Sequence, residues 1–180
     1  MNEASTAEEL VRVNAAAGTT MVVAIGGQDR HYVAELLDRP EDALGRLDRA
    51  LSLAVNSRAS FCPGPDQLFS NSREILVPLK RWAREHGTLF HTHSSEEPAT
   101  TRWFSEAIEP GLSEVEYADS IGILDEATVL AHQVNCGPGD VEILARRDVA
   151  VVHNPLANTI LGSGMPPLLD MLAAGVRVAV

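Results

Sequence analysis

Short runs of β-branched and apolar residues alternate with longer segments of helical spacing along this chain, and no two runs are joined by a hairpin signal. That order restricts the fold more than any single motif does. Strand-length runs lie at Thr19 to Ile25, Arg58 to Cys62, Thr88 to His93, Thr128 to Gln133, Val149 to His153 and Val176 to Val180. Near-continuous apolar strands connected by helices build a parallel sheet covered by those helices. The expected fold class is therefore α/β. No repeat, low-complexity tract or linker interrupts the pattern, so residues 1–180 are read as one domain.

The segments between the runs carry helix signals. Ser5 or Thr6, with Glu8 and Glu9 three residues on, can cap a helix from Thr6 to Ala17. A short helical piece is expected around His31 to Leu37. A longer helix starts at about Pro40, with Ala43, Leu47, Ala50, Leu51 and Ala54 on one face. The segment Ser72 to His86 is helical, and Pro78 should bend it or mark its start. A further helix leads through Trp103 to Ile108. Asp140 is expected to cap a helix from Val141 to Arg147, and Pro166 to Ala174 another, with Asn154 to Met165 a long loop between them.

Composition narrows the function classes. A formal net charge of −11 argues against nucleic-acid or anionic-membrane partners, which select basic patches. No apolar run is long enough to span a bilayer, and the acidic, polar start is not expected to act as a signal peptide. Cys62 and Cys136 form no disulfide framework and read as small apolar residues, so a cytoplasmic setting is expected. There is no CxxC, Gly-rich dinucleotide loop, P-loop or nucleophile elbow.

The chemistry concentrates in Thr88 to Glu96. Alternation along a strand puts Leu89, His91 and His93 on one face, with Phe90 and Thr92 on the other. His93 then ends the strand and Glu96 lies in the loop beyond it. His132 and His153 end two other runs. Three imidazoles at three strand ends converge most naturally at the mouth of a closed barrel. Neutral imidazoles with a nearby carboxylate suit a divalent metal such as zinc, which makes hydroxide available near neutrality. A glutamate beside that water can carry its proton to a leaving group. In this scheme His93 is the metal ligand, Glu96 the proton shuttle, and His132 orients water or polarises the substrate. His153 contacts the substrate or anchors the following loop. His91 is expected to pack inward, His31 and His86 to lie on the surface, and Glu97 to be solvated.

Five ordered motifs sharpen this reading. They are His-Thr-His-Ser-Ser-Glu at 91–96, Val-Leu-Ala-His-Gln-Val at 129–134, Val-Ala-Val-Val-His-Asn-Pro-Leu-Ala-Asn at 149–158, Leu161-Gly-Ser-Gly-Met-Pro-Pro, and Ala174-Gly-Val-Arg-Val-Ala-Val. The series resembles the amidohydrolase superfamily, in the branch of chlorohydrolases, guanine deaminase and adenosylhomocysteine deaminase. The resemblance covers roughly Ala15 to Val180.

It implies a partial TIM-like (β/α)8 barrel, from about the third strand to the start of the eighth. His93 would match the fifth-strand metal ligand, Glu96 the catalytic acid/base, and His132 the sixth-strand histidine. His153 and Asn158 would belong to the seventh-strand motif that shapes the substrate pocket. The implied activity is hydrolysis of a C–N bond of a nitrogen-rich cyclic small molecule, with zinc or, second, iron as cofactor. The family's first-strand His-x-His has no counterpart before His91, and its eighth-strand aspartate would fall after Val180. The expectation is thus an internal fragment, inactive alone, of a full-length enzyme whose homo-oligomeric state is left open. The competing reading is a non-catalytic barrel relative with a binding or structural role.

Overall fold

A computed structural model of the chain describes residues 4–53 and 59–180. The elements, in order, are α1 (Ala4–Ala17), β1 (Met21–Ile25), a 3-10 turn (Ala34–Leu36), α2 (Pro40–Leu53), β2 (Ala59–Pro63), α3 (Arg73–Glu85) and β3 (Phe90–Ser94). There follow α4 (Pro98–Trp103), a π-helical turn (Phe104–Ile108), α5 (Glu114–Ser120), β4 (Thr128–His132), α6 (Pro138–Arg146), β5 (Ala150–Val152), α7 (Pro155–Leu161), α8 (Leu168–Ala173) and β6 (Arg177–Ala179). The six strand positions agree with the six apolar runs. The cap at Ser5 or Thr6 and the positions of Ala54 and Arg58 lie outside the described side chains.

The residues group into two compact units, the first comprising residues 1–66 and 70–90, the second residues 67–69 and 91–180. In the first, β1 and β2 pair in parallel, with Val23 opposite Phe61 and Ile25 opposite Pro63. Ala43, Leu47 and Ala50 of α2 and Ile75, Leu76, Leu79 and Ala83 of α3 are buried. Their spacing of three and four residues gives each helix one apolar stripe. Leu51 is only half-buried.

Arg46 grips Asp38 through two nitrogens, at 2.8 and 2.6 Å, and donates to the Gly26 carbonyl at 3.0 Å, fastening the loop after β1. Gly64 follows β2 so closely against β1 that a Cβ there would stand 2.6 Å from Ala24 Cβ. Lys80, 1% exposed, carries its ammonium 5.5 Å above the Phe90 ring.

Pro78 lies inside α3 and does not mark its start. The carbonyl that lacks an N–H partner belongs to Glu74, which is exposed to water, so the proline is tolerated there.

In the second unit the strand order is β3-β4-β5-β6, with β4–β5 and β5–β6 parallel. Leu130, Val151, Leu144, Phe104, Val115 and Met171 are fully buried. Two sequence expectations are corrected here. The segment Asn154 to Met165 is not all loop, because Pro155 opens α7, a proline being suited to a first helical turn. Asp140 does not cap α6 from outside. The helix begins two residues earlier, at Pro138, and the Asp140 carboxylate turns back to accept the Gly137 N–H at 2.9 Å. No helix among the described residues is long and apolar enough to cross a membrane.

Candidate functional site

β3 shows the alternation that its sequence calls for. Phe90, Thr92 and Ser94 are buried, and His91 and His93 are half-buried on the opposite face. Their rings meet edge to face at 5.3 Å. Burial first, then the neighbouring His93 and His132, pushes the His91 imidazole down to about 4, so it is neutral and packs as expected. The strand ends at Ser94, Ser95 turns the chain with φ +51°, and Glu96 follows, half-buried.

The Glu96 carboxylate is held on both oxygens. Gln67 Nε2 donates to Oε2 at 3.0 Å, and Oε1 stands 3.3 Å from His132 Nε2. Gln67 reaches this place because its backbone bridges to His93, with Leu68 N–H donating to the His93 carbonyl at 3.2 Å.

His132 is the last residue of β4 and has φ +75°, and Gln133 has φ +52°. Among the described residues five non-glycine positions have positive φ, and three of them, Ser95, His132 and Gln133, sit at the ends of β3 and β4. Each costs about 1–3 kcal/mol, so surrounding bonds must hold it. Gln133 supplies several: its side-chain amide donates to the Ser94 hydroxyl and to the Ser94 carbonyl at 3.2 Å, and its backbone N–H donates to that carbonyl at 3.2 Å.

The His132 ring is oriented from α7. Its Nδ1 donates to Asn158 Oδ1 at 2.7 Å, which places the ring proton on Nδ1. Nε2 then faces Glu96. At 3.3 Å, Nε2 is within reach of the carboxylate. Asn154 Nδ2 is 3.5 Å from Nε2, a weak contact at most. The His93 and His132 rings lie 5.4 Å apart.

The structure therefore brings His93, Glu96, His132 and Asn158 together. His153 is buried just after β5, its backbone N–H donating to the Ala179 carbonyl at 2.8 Å. His153 Nδ1, Asn158 Nδ2 and Ser163 Oγ are buried with no hydrogen-bond partner among the described residues.

Sequence reasoning missed Gln67, Gln133 and Asn135. Gln133 closes one of the apolar runs, and Gln67 and Asn135 lie in loops, but no local spacing names the partner of any of the three. Cys136 is half-buried, and burial raises its thiol well above the usual value. Burial pushes the Cys62 thiol up to about 12. His31, His86 and Glu97 are exposed, as expected. A cavity of about 330 Å³ is lined by Cys136, Gly137, Pro138, Val141, Pro167 and Asp170. None of the five candidate residues lines it, so it is not the place where Glu96 and His132 would act.

The donors do not amount to a metal site by themselves. Among the described residues no group of three His, Cys, Asp or Glu side chains lies close enough to hold an ion. Tight binding of a first-row metal rests on several preorganised donors, and the His91 and His132 rings, 5.3 and 5.4 Å from the His93 ring, do not complete such a set among the described residues.

The family model described as "Amidohydrolase family" matches residues 3–180. A 5-methylthioadenosine/S-adenosylhomocysteine deaminase of Thermococcus onnurineus is 34% identical over 172 residues, covering 92% of this chain and 40% of that relative. The chain thus spans well under half the length of a curated relative that it matches. Guanine deaminase from C. acetobutylicum, with guanine bound in its active site, superposes with a TM-score of 0.90 at 20% identity, over 99% of this chain and 43% of that one. Atrazine chlorohydrolase from Arthrobacter aurescens TC1, complexed with zinc, gives a TM-score of 0.83 at 17% identity, over 94% of this chain and 39% of that one. These likenesses give the fold: α/β, with parallel strands alternating with helices as in part of a (β/α)8 barrel. On the family match and the deaminase identity together, the chain belongs to the amidohydrolase family.

Proposed function

We propose that the whole protein is a metal-dependent aminohydrolase, in which these residues form part of one barrel domain and supply its acid–base group. The reaction is hydrolytic deamination of an adenine-type nucleoside. Water adds to the ring carbon that bears the exocyclic amine, the C–O bond forms, the C–N bond breaks and ammonia leaves. The observation that carries this reading is the Glu96 carboxylate, fixed by Gln67 at 3.0 Å and set 3.3 Å from His132 Nε2.

Glu96 takes the proton of the attacking water and returns it to the departing nitrogen. His132, its Nδ1 anchored on Asn158, directs Nε2 at the same water or at the polarised substrate. His153 and Asn158 have unpartnered buried nitrogens that can meet the polar edge of a purine. The substrate class is taken from the Thermococcus relative's name and from that of a 5'-deoxyadenosine deaminase of Methanothermobacter thermautotrophicus, 35% identical over 126 residues.

For the cofactor we infer a divalent ion, zinc first and iron second, which would generate hydroxide near neutral pH. His93 is the donor that this chain contributes. The described residues do not complete the ligand set of such an ion. The second reading is a non-catalytic barrel relative that keeps the fold. Two free cysteines suit a cytoplasmic setting.

The test is ammonia release by the whole protein from 5-methylthioadenosine, S-adenosylhomocysteine, 5'-deoxyadenosine and guanine, with zinc and iron content measured on the same preparation. The expected result is turnover of at least one adenine nucleoside, and a His93→Ala variant with lower metal content. Metal-loaded protein that released ammonia from none of the four would leave the non-catalytic reading standing.

A further inference from the structure

The Ser95–Glu96 turn is gripped from two sides by side chains that have no part in the reaction just described. Glu114, the first residue of α5, is 2% exposed, and its Oε2 accepts the backbone N–H of Ser95. Asn135, beyond β4, donates its Nδ2 to the Ser95 carbonyl at 3.2 Å and to the Glu96 carbonyl at 3.0 Å. Its own backbone N–H donates to the Ser95 carbonyl at 2.9 Å. The peptide groups on both sides of Ser95 are therefore held by residues from two different elements.

This grip falls on a residue that is itself strained. Ser95 is 1% exposed and adopts φ +51°, a left-handed conformation that a side chain disfavours. Relaxing it would swing the next peptide and, with it, the Glu96 side chain. A buried carboxyl is a costly acceptor for one N–H, and Glu114 Oε1 has no hydrogen-bond partner among the described residues. A fold that needed only a helix start here already has one. Ser113 accepts the Glu116 N–H at 3.0 Å, and the Glu116 carboxylate accepts the Ser113 N–H at 2.7 Å, so α5 is capped without Glu114.

We propose that Glu114 and Asn135 are positioning residues that set the direction of the Glu96 carboxylate through the Ser95 peptide. The inference rests on Glu96 being the acid–base group. Burial also raises the proton affinity of Glu114, which limits its repulsion of Glu96 across the turn.

The experiment compares Glu114→Ala, Glu114→Gln and Asn135→Ala in the whole protein. One readout is hydrogen exchange at the Ser95 amide, which needs no turnover. The other is kcat and KM for S-adenosylhomocysteine. Glu114→Ala should speed Ser95 exchange about tenfold or more and lower kcat about 10- to 100-fold, with KM within about threefold, the pattern of a misdirected reacting group. Glu114→Gln, whose amide oxygen accepts the same N–H, should recover both, and Asn135→Ala should lower kcat in the same way. Unchanged Ser95 exchange and kcat in Glu114→Ala would overturn the proposal. If that variant fails to fold, an Asn135→Ala protein with wild-type kcat overturns it equally. A wild type that deaminates nothing would sink the acid–base reading of Glu96, while Ser95 exchange would still decide whether Glu114 holds the turn.

Discussion

Glu96 Oε1 stands 3.3 Å from His132 Nε2 although the two residues arrive on different strands, and the far nitrogen of the same ring donates to Asn158 at 2.7 Å. A carboxylate, an imidazole and an amide thus stand in one line, with the carboxylate at one ring nitrogen and the amide at the other. Its chemistry depends on each member keeping its orientation.

The carboxylate end is tested by Glu96→Gln. The amide keeps the size of the side chain and an oxygen for Gln67, but it cannot carry a proton. Ammonia release should fall about 10²- to 10⁴-fold with an unchanged far-UV spectrum. Full activity in this variant would remove Glu96 from the reaction.

The amide end is tested by Asn158→Ala. The buried His132 Nδ1–H would lose its acceptor, costing about 1–3 kcal/mol of stability. Loss of ring orientation should lower kcat about 10- to 100-fold. Thermal unfolding and the imidazole nitrogen chemical shifts read the two effects separately. A ring that kept its Nδ1 proton and orientation in the variant would assign that role elsewhere.

Glu114 predicts a dependence of stability on pH. Burial first, and then the charges of Asp140 and Glu96, push its carboxyl from 4.5 up to about 7 against the opposing hydrogen bonds from Ser95. The folded state therefore binds the proton more tightly than the unfolded chain. The stabilisation from this group is complete below pH 4.5, is lost as pH rises towards about 7, and changes no further above that. At about 1.4 kcal/mol per pKa unit the loss is on the order of 3 kcal/mol. Glu114→Gln should abolish that slope, so in urea unfolding the variant should gain on the wild type between these pH values. Parallel curves would mean that Glu114 is ionised throughout.

Gly64→Ala tests the packing of the first unit. The added Cβ would meet Ala24 Cβ at 2.6 Å, and the neighbouring contacts are Ala24 backbone, at 3.2 and 3.3 Å, which cannot swing aside as a long side chain would. A destabilisation of about 1–3 kcal/mol is expected in denaturant unfolding. A neutral result would show that β1 yields at this point.

What the sequence by itself determined is what depends on near neighbours in the chain. Two-residue alternation assigned the faces of β3, with Phe90 and Thr92 buried and His91 and His93 on the other side. Three- and four-residue spacing placed Ala43, Leu47 and Ala50 on one stripe of α2. The same ordered motifs pointed to His93, Glu96, His132 and Asn158, which the structure gathers. Helix starts were less legible, because several residues compete to begin one, as Asp140 and Pro138 do for α6.

Only the tertiary structure decided what holds those side chains in place. Gln67 precedes Glu96 by 29 positions, and Glu114 follows Ser95 by 19, with no periodicity linking either pair. Their contacts exist because a strand bridge at His93 and the packing of α5 bring distant backbone together. The left-handed turns at Ser95, His132 and Gln133 were equally invisible in sequence, since nothing in the residue types demands them. Local spacing sets which face a side chain takes, whereas its partner is chosen by the closure of the long loops between strands.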